Sequence, residues 1–595
     1  MAFIHTRKGE TKIMSISLKN MFTAAVILLL TITMPARAVD FHVTTASTLQ
    51  AALASAESNG GDDTIYLAAG TYYGNFRFTS MEDRNLTVTP EVGTLKGSVI
   101  LDGKQSGYVL LLEGNSYEVN FIVEGLTIQN GFSRESGGGI YGKQSGNSGT
   151  ITIRKCIIKN NVSDVGVSES EVAGGGAFLD GFASVLVEET SILDNAIRAN
   201  PELYTASSCY GGGIASGPSS IFDSNIIRGN TNNCTFSGYG GGAYSGAESI
   251  YRNNNIKNNI VIQYGPGYTA AKMTGGGIFS EQNSTFINNT VTNNSAICHP
   301  CVQFDPPNPG GGIVTGNGSN LRGNSISENE FGGLEVGADS VLENNTIVGN
   351  SGVGVRGGGG SMILLSNNIS NNTTDGVELS FVTIFVTNNT IVMNGSRGLN
   401  FTPEDGATID LTNNIIWDNQ TSNEGADVFL DNYHEQFGLG FQATSQNNIY
   451  SSVFSIWDSE SGNLELDPQF HDTGNGDFHL TSTSPAINAG INTPSNLPDF
   501  DLDGSPRILG GTVDIGAYER STTALHPADV SGDYSISLDE FNNYNQAWRA
   551  NDTWPTAPSQ IPVDFVTRAG YLLQKGGDYQ NIGVGKPATW VPADE

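Results

Sequence analysis

The chain has 595 residues, of which 75 are Gly and 59 are Asn, and a formal charge of −32. Gly is far above its usual share of about 7% yet does not recur every third residue, which excludes collagen. Only 15% of residues are charged, too few for an acidic disordered chain, and the negative balance excludes nucleic acid and anionic lipid, which bind clustered Lys and Arg. High Gly and Asn also disfavour a helical protein, leaving a turn-rich and strand-rich chain.

In chain order, Arg7, Lys8, Lys12 and Lys19 precede an apolar run from Phe22 to Ile32, followed by Ala36-Arg37-Ala38. A basic region, a short apolar core and a small-x-small triplet predict an export leader over residues 1–38. The run is shorter than the roughly 20 residues that a bilayer span needs. The mature chain is therefore expected outside the cell or at its surface, with no membrane span. The segment from Ser47 to Ala54 predicts a short amphipathic helix with a Ser or Thr cap. It would cover the open edge of the first coil.

From residue 120 onward one pattern recurs: an apolar residue, two others, Asn, one residue, Ile or Val, two residues, Asn. Phe222, Asn225, Ile227, Asn230 is one copy, and Leu342, Asn345, Ile347, Asn350 is another. The central apolar residue returns every 21–25 residues between Ile326 and Ile416, and every 29–35 residues between Ile128 and Ile326. The longer copies carry Gly triplets, such as Gly174–Gly176 and Gly275–Gly277, each followed by Ile or Ala. About 22 residues is too short for a helical pair and suits one coil of three short strands. Stacked coils lie about 4.8 Å apart, so Ile and Val form an internal column and Asn forms a hydrogen-bonded ladder.

On these repeats the chain resembles the right-handed parallel β-helix proteins of the pectin-lyase-like superfamily, over roughly residues 40–455. The Gly-Gly-Gly-Ile and Phe-x-x-Asn signals also resemble the repeats of polymorphic outer-membrane autotransporters. The fold class implied is all-β: a right-handed parallel β-helix solenoid over 39–455, with an N-terminal capping helix and a small C-terminal helical calcium-loop module. Ser484-Pro485-Ala486-Ile487, Asp503-Gly504-Ser505-Pro506-Arg507 and Val513-Asp514-Ile515-Gly516-Ala517-Tyr518-Glu519 resemble a choice-of-anchor Q module over 456–520, with Asn488 where that module has Asp. Residues 521–595 resemble a dockerin-like or half-EF-hand tail, which implies a docking partner.

In that tail Asp529, Ser531, Asp533, Ser537 and Glu540 fall at positions 1, 3, 5, 9 and 12 of a calcium loop. Alternating oxygen ligands and a closing carboxylate suit Ca²⁺, although Tyr534 replaces the Gly of the sharp turn. Asp499, Asp501 and Asp503 open a second such string, but Gly510 stands where its closing carboxylate belongs. Phe541, Tyr544 and Trp548 predict one face of a helix after the first loop.

The cysteines point to structure. Cys156 occupies an Asn-column position, where a buried thiol is expected. Cys209 and Cys234 precede Gly runs in successive coils and are candidates for a disulfide in an exported protein. Cys298 and Cys301 could form a local disulfide or half of a metal site.

For catalysis the candidates are Lys159, Arg228 and Lys257, which follow the core Ile of their coils and should face outward, with Leu193 interrupting the column. Beside them Arg154, Glu188, Asp223 and Arg252 should form a cross-coil ladder of opposite charges. Tyr72, Tyr73, Trp417 and Trp457 are candidate sugar stackers. No hydrolase or lyase motif stands out. The function expected is adhesion or polysaccharide binding through an extracellular polysaccharide or a surface receptor. The alternative is a polysaccharide lyase or glycoside hydrolase acting on acidic glycans.

Overall fold

The computed structural model describes residues 4–7, 10–13 and 38–593, except 116, 165–170, 199–207, 265–272, 300–309, 381–382, 420–426, 431–439, 455–456, 495, 510, 521–524, 533, 556–557, 582–586 and 588–589. Most of the expected leader lies outside these residues. Within it, Ile4–Arg7 and Glu10–Ile13 pair as antiparallel strands. Among the described residues no helix is long and apolar enough to cross a membrane.

Residues 40–461 form a right-handed parallel β-helix. A coil visits three sheets in turn, as in Ile278–Ser280, Thr285–Ile287 and Thr290–Thr292. The sheet of Thr285–Ile287 has 16 strands and is called the first. The sheets of Thr290–Thr292 and Ile278–Ser280, the second and third, have 14 each. The first sheet ends at Ser459–Ser461, beyond the expected boundary at 455, because these residues still pair in parallel with Thr444, Ser445 and Gln446.

Coil shape follows from the Asn pairs. In Asn253-Asn254, Asn288-Asn289 and Asn344-Asn345, the first Asn has φ of 53–56° and makes the bend from first to second sheet. Asn tolerates this left-handed conformation better than most side chains. The second Asn points inward. Asn345 Oδ1 accepts from Asn324 N and Nδ2 at 3.0 and 2.9 Å, while Asn345 Nδ2 donates to Leu321 O and Asn367 Oδ1 at 2.8 and 3.0 Å. A parallel ladder runs from Asn161 to Asn419 at the bend after the second sheet, and there Asn419 N and Nδ2 donate to Asp427 Oδ1. Cys156 takes the Asn place in an early coil. It is fully buried, and burial pushes its thiol up to about 12.

The capping helix is Ala46–Ala56, one residue earlier than expected, with Thr45 and Thr48 forming a capping box. Its Leu49, Ala52, Leu53 and Ala56 are buried against the first coils. The longer repeats add two side sheets of six and four strands. Their small core is Val172, Ile197, Cys209 and Cys234, and the two cysteines are joined. Replacing both cysteines by Ser should cost about 3 kcal/mol, the usual scale for a loop of this length, with the bond closing a separation of 25 residues. Hydrogen exchange should show the loss in the side sheets and leave the three main sheets protected.

Residues 464–520 return along the outside of the solenoid as a clasp. Phe478, Ala486, Ile515 and Ala517 pack with Val392, Ile415 and Ile449. Asn388 Nδ2 donates to Asp514 O, and Asn413 Nδ2 donates to Ile491 O, both at 2.9 Å. The tail packs helices Leu538–Ala550 and Val563–Gln574 around Tyr544, Phe565, Leu572 and Trp590.

Candidate functional site

The register of the third sheet places the residues after the Gly triplets on one outward line. Tyr141, Phe178, Ala215, Tyr244, Phe279 and Val314 follow one another coil by coil. The triplets also position a second rank. Gly211 and Gly240 have φ of 66° and 69°, and a Cβ on either would lie about 2.0 Å from a carbonyl oxygen. Only Gly makes that bend, so Tyr210 and Tyr239, just before it, meet the outward line at an angle. Tyr210 packs edge-on against Tyr244 with centroids 4.8 Å apart, Tyr239 against Phe279 at 5.1 Å, and Tyr244 stacks on Phe279 at 5.7 Å. All four rings are half-buried.

Beyond Val314 the same line continues as Glu335, Arg356, Glu378 and Asn400. Arg356 Nη2 lies 2.7 Å from Glu378 Oε2. A cavity of about 360 Å³ is lined here by Thr315, Glu335, Val336, Arg356 and the glycines Gly337 and Gly357. The third sheet thus carries one line along the solenoid axis, of half-buried rings interrupted by the buried Ala215 and Val314, and then charged with an open cavity farther on.

Lys159, Arg228 and Lys257 do share one column of the second sheet, interrupted by Leu193. None makes an ion pair or a side-chain hydrogen bond among the described residues. In the neighbouring column Arg252 pairs with Asp223 at 2.8 Å, whereas Arg154 turns to Glu124 at 2.8 Å instead of Glu188. Of the expected sugar stackers, Tyr72 is buried and donates to Val43 O and Ala68 O. Trp417 is packed under the clasp, and Trp457 is packed against the end of the core. Tyr73 is exposed, with Lys104 Nζ 3.9 Å above its ring.

In the tail loop Tyr534 does make the sharp turn, with φ of 60°. Asp529 Oδ1 accepts from Ser531 Oγ and Gly532 N, and Oδ2 accepts from Tyr534 N and Tyr579 OH. Glu540 Oε1 accepts from Val530 N and Ser531 N, and Oε2 from Ser537 N and Oγ. These bonds hold the Glu540 carboxyl below its ordinary range although burial opposes them. The two carboxylates best placed to close around calcium already satisfy the loop's own donors, so the donor set does not fit the ion without rearrangement. Asp533 lies outside the described residues. So do Cys301 and the Cys298 side chain.

The other aspartates have separate partners. Asp501 is buried and accepts from Asp503 N, Ser505 N and Glu519 N. Asp503 Oδ2 lies 2.6 Å from His479 Nε2, and Asp499 is exposed. At the centre of the clasp Arg507 is fully buried, 3.2 Å from Glu519 Oε1, with Nη2 donating to Ser366 Oγ at 2.7 Å. Burial pushes Asp501 and Asp514 up to about 6 and Glu519 up to about 8, and it lowers Arg507.

The fold defines the class as right-handed parallel β-helix proteins, and a family model described as a right handed beta helix region matches residues 276–454. No curated protein matches the chain. Among solved structures it is similar to tailspike protein 3 of bacteriophage CBA120, at 10% identity and a TM-score of 0.32, covering 71% of this chain and 57% of that one. It is similar to the Agl-KA catalytic domain at 14% identity and a TM-score of 0.24, covering 70% and 65%. It is also similar to the PL6 family polysaccharide lyase Pedsa3628 from Pseudopedobacter saltans, at 13% and 0.26, covering 75% and 97%. The chain therefore spans less than two thirds of the tailspike and of the Agl-KA domain. Scores this low carry no argument about activity.

Proposed function

We propose that this is an extracellular protein that binds polysaccharide along the outward face of the third sheet without cleaving it. What supports the reading is the line of half-buried rings that leads in register, past the buried Val314, to the Glu335–Arg356 cavity, a spacing suited to an extended chain of sugars. Aromatic rings flanked by fixed polar groups are the usual lining of such sites. Glu335 and Glu378 stand two coils apart with Arg356 between them in register. That is a ladder of alternating charge, unlike the open carboxylate pair that glycoside hydrolysis needs. Export agrees with the leader and with the Cys209–Cys234 bond, since disulfides persist in oxidising surroundings.

The test is electrophoresis of the chain through gels containing soluble polysaccharides, with reducing ends and unsaturated-uronate absorbance measured on the same samples. Retention without products is expected, and Arg356→Ala should weaken it about tenfold. Product formation would overturn the non-cleaving assignment, and no retention on any glycan would overturn binding.

For the tail, Ca²⁺ and a docking partner are further proposals. Calcium would have to draw Asp529 and Glu540 away from the loop's N–H groups. Calorimetric titration should then give weak uptake accompanied by a change in Tyr534 and Tyr579 fluorescence. Absence of heat up to millimolar calcium, the range of the weakest extracellular sites at roughly 10⁻³ M, would remove the ion from the account.

A further inference from the structure

We infer that the glycan taken by the third-sheet face is uncharged, and that polyuronates and other polyanions are rejected there. This rests on that face being the glycan track. The polar groups beside the aromatic rings are mostly carboxylates. Tyr244 donates its hydroxyl to Glu281 Oε1 at 2.6 Å, and Tyr108, whose ring lies 5.2 Å from that of Tyr141, donates to Glu135 Oε2 at 2.8 Å. Burial and the neighbouring carboxylates raise both phenols far above their ordinary value, so they stay protonated.

Three cations of the face are set beside acid, and a fourth, Arg397, lies 3.7 Å over the Phe429 ring farther along the line. Arg77 lies 3.3 Å from Glu113, Arg356 pairs with Glu378, and Lys143 stands in register between Glu113 and Asp180. A sugar carboxylate or sulfate laid along the track would meet carboxylate oxygens with their cations already engaged. A sugar hydroxyl is a donor and finds acceptors there. Because phenols already donate to Glu281 and Glu135, these carboxylates can take one more hydroxyl without demanding a cation. An uncharged, hydroxyl-rich chain therefore finds acceptors there without needing a counter-charge of its own. The −32 charge of the chain acts in the same direction at long range by repelling polyanions.

The experiment compares the whole chain on three probes: a soluble neutral β-glucan, polygalacturonate and chitosan, each at low and high ionic strength. The expected result is retention by the neutral glucan that salt does not change, because no ion pairs are screened, no retention by polygalacturonate, and loss at high ionic strength of any hold that the chain's net charge gives it on chitosan. Phe279→Ala should weaken it about tenfold, as for one well-packed contact residue. Glu281→Gln changes one exposed side chain and spares the core, so it keeps the test open if Phe279→Ala fails to fold. It should weaken the neutral glucan and leave polygalacturonate unretained.

Retention of polygalacturonate that Glu281→Gln strengthens and Phe279→Ala weakens would overturn the uncharged class while leaving the track in place. Salt-sensitive retention of chitosan alone would overturn it in the opposite sense. Neutral-glucan binding untouched by either substitution would move the site elsewhere, and no retention of any probe would remove the binding function itself.

Discussion

Asn345→Ala is expected to destabilise the coil stack by about 4 kcal/mol, because it strands several buried polar groups at roughly 1–3 kcal/mol each. The Asn324 N–H and side-chain amide lose their acceptor, and the Leu321 carbonyl loses a donor. The site is fully buried, so water does not replace them. Asn345→Asp separates hydrogen bonding from shape. It keeps the acceptor but turns an oxygen toward Leu321 O and Asn367 Oδ1. Its loss should match that of the Ala variant at neutral pH and shrink in acid, where a protonated carboxyl can donate again. Urea unfolding of both variants measures this. A change below about 1 kcal/mol for Asn345→Ala, the size of an ordinary surface substitution or less, would mean that the ladder follows the coils without holding them.

Arg507→Met should release the clasp. Removing the guanidinium strands buried acceptors at Gly516 O, Ala517 O, Ser366 Oγ and Glu519 Oε1, at roughly 1–3 kcal/mol each. Here Glu519 faces Arg507 directly, and Asp501 and Asp514 add charge around it. Hydrogen exchange over residues 464–520 should rise sharply while the coils before residue 360 stay protected. Retained protection across the clasp would show that its apolar contacts suffice.

The wild-type clasp should also respond to pH. Its three carboxyls are raised by burial, two to about 6 and Glu519 to about 8. The docked clasp therefore holds protons that the free segment releases. Docking should be firmest below about pH 4, the range of free carboxyls, and should weaken as pH rises from there through 8. The tail has the opposite sign. His526 is buried, accepts from Ala528 N, and is lowered to about 4. It contributes stability above the free imidazole value near 6.5, and that contribution is lost as pH falls toward 4. One exchange series across pH should separate the clasp from the tail.

Much of this architecture was legible because side chains repeat where the backbone repeats. The Asn pairs encode both the bend and the ladder, so the coil could be read from Leu342, Asn345, Ile347 and Asn350 alone. The aromatic face was equally regular but was overlooked. Tyr141, Phe178, Tyr244 and Phe279 each stand two places after a Gly triplet, a position as fixed as that of Asn. The triplets read in sequence as bends, and only the register of the third sheet shows which rings they aim. The Glu335, Arg356 and Glu378 group was harder to find, since its coils lack the triplet and only strand register aligns them. Asp499, Asp501 and Asp503 misled for another reason. Local spacing matches a calcium loop, yet the partners that decide their role, Arg507, His479 and Glu519, are supplied by the folded clasp.

The Asn ladders also have a direction. Along each column an Asn side chain donates to the Asn of the next coil and accepts from the one before, while its second N–H returns to a backbone carbonyl of the preceding coil. The donor end of the ladder from Asn161 to Asn419 meets a carboxylate, Asp427, whose other oxygen accepts from Ser451 N and Oγ. Head and foot are therefore not interchangeable. An added coil between Asn329 and Asn350, ahead of the coils that the clasp holds, would inherit a donor on one side and an acceptor on the other, and both terminal fittings would stay as they are. A coil appended after Asn419 would have to carry its own anion. The protein can thus change length from the middle, by duplication or deletion of whole turns, while its two ends stay fixed.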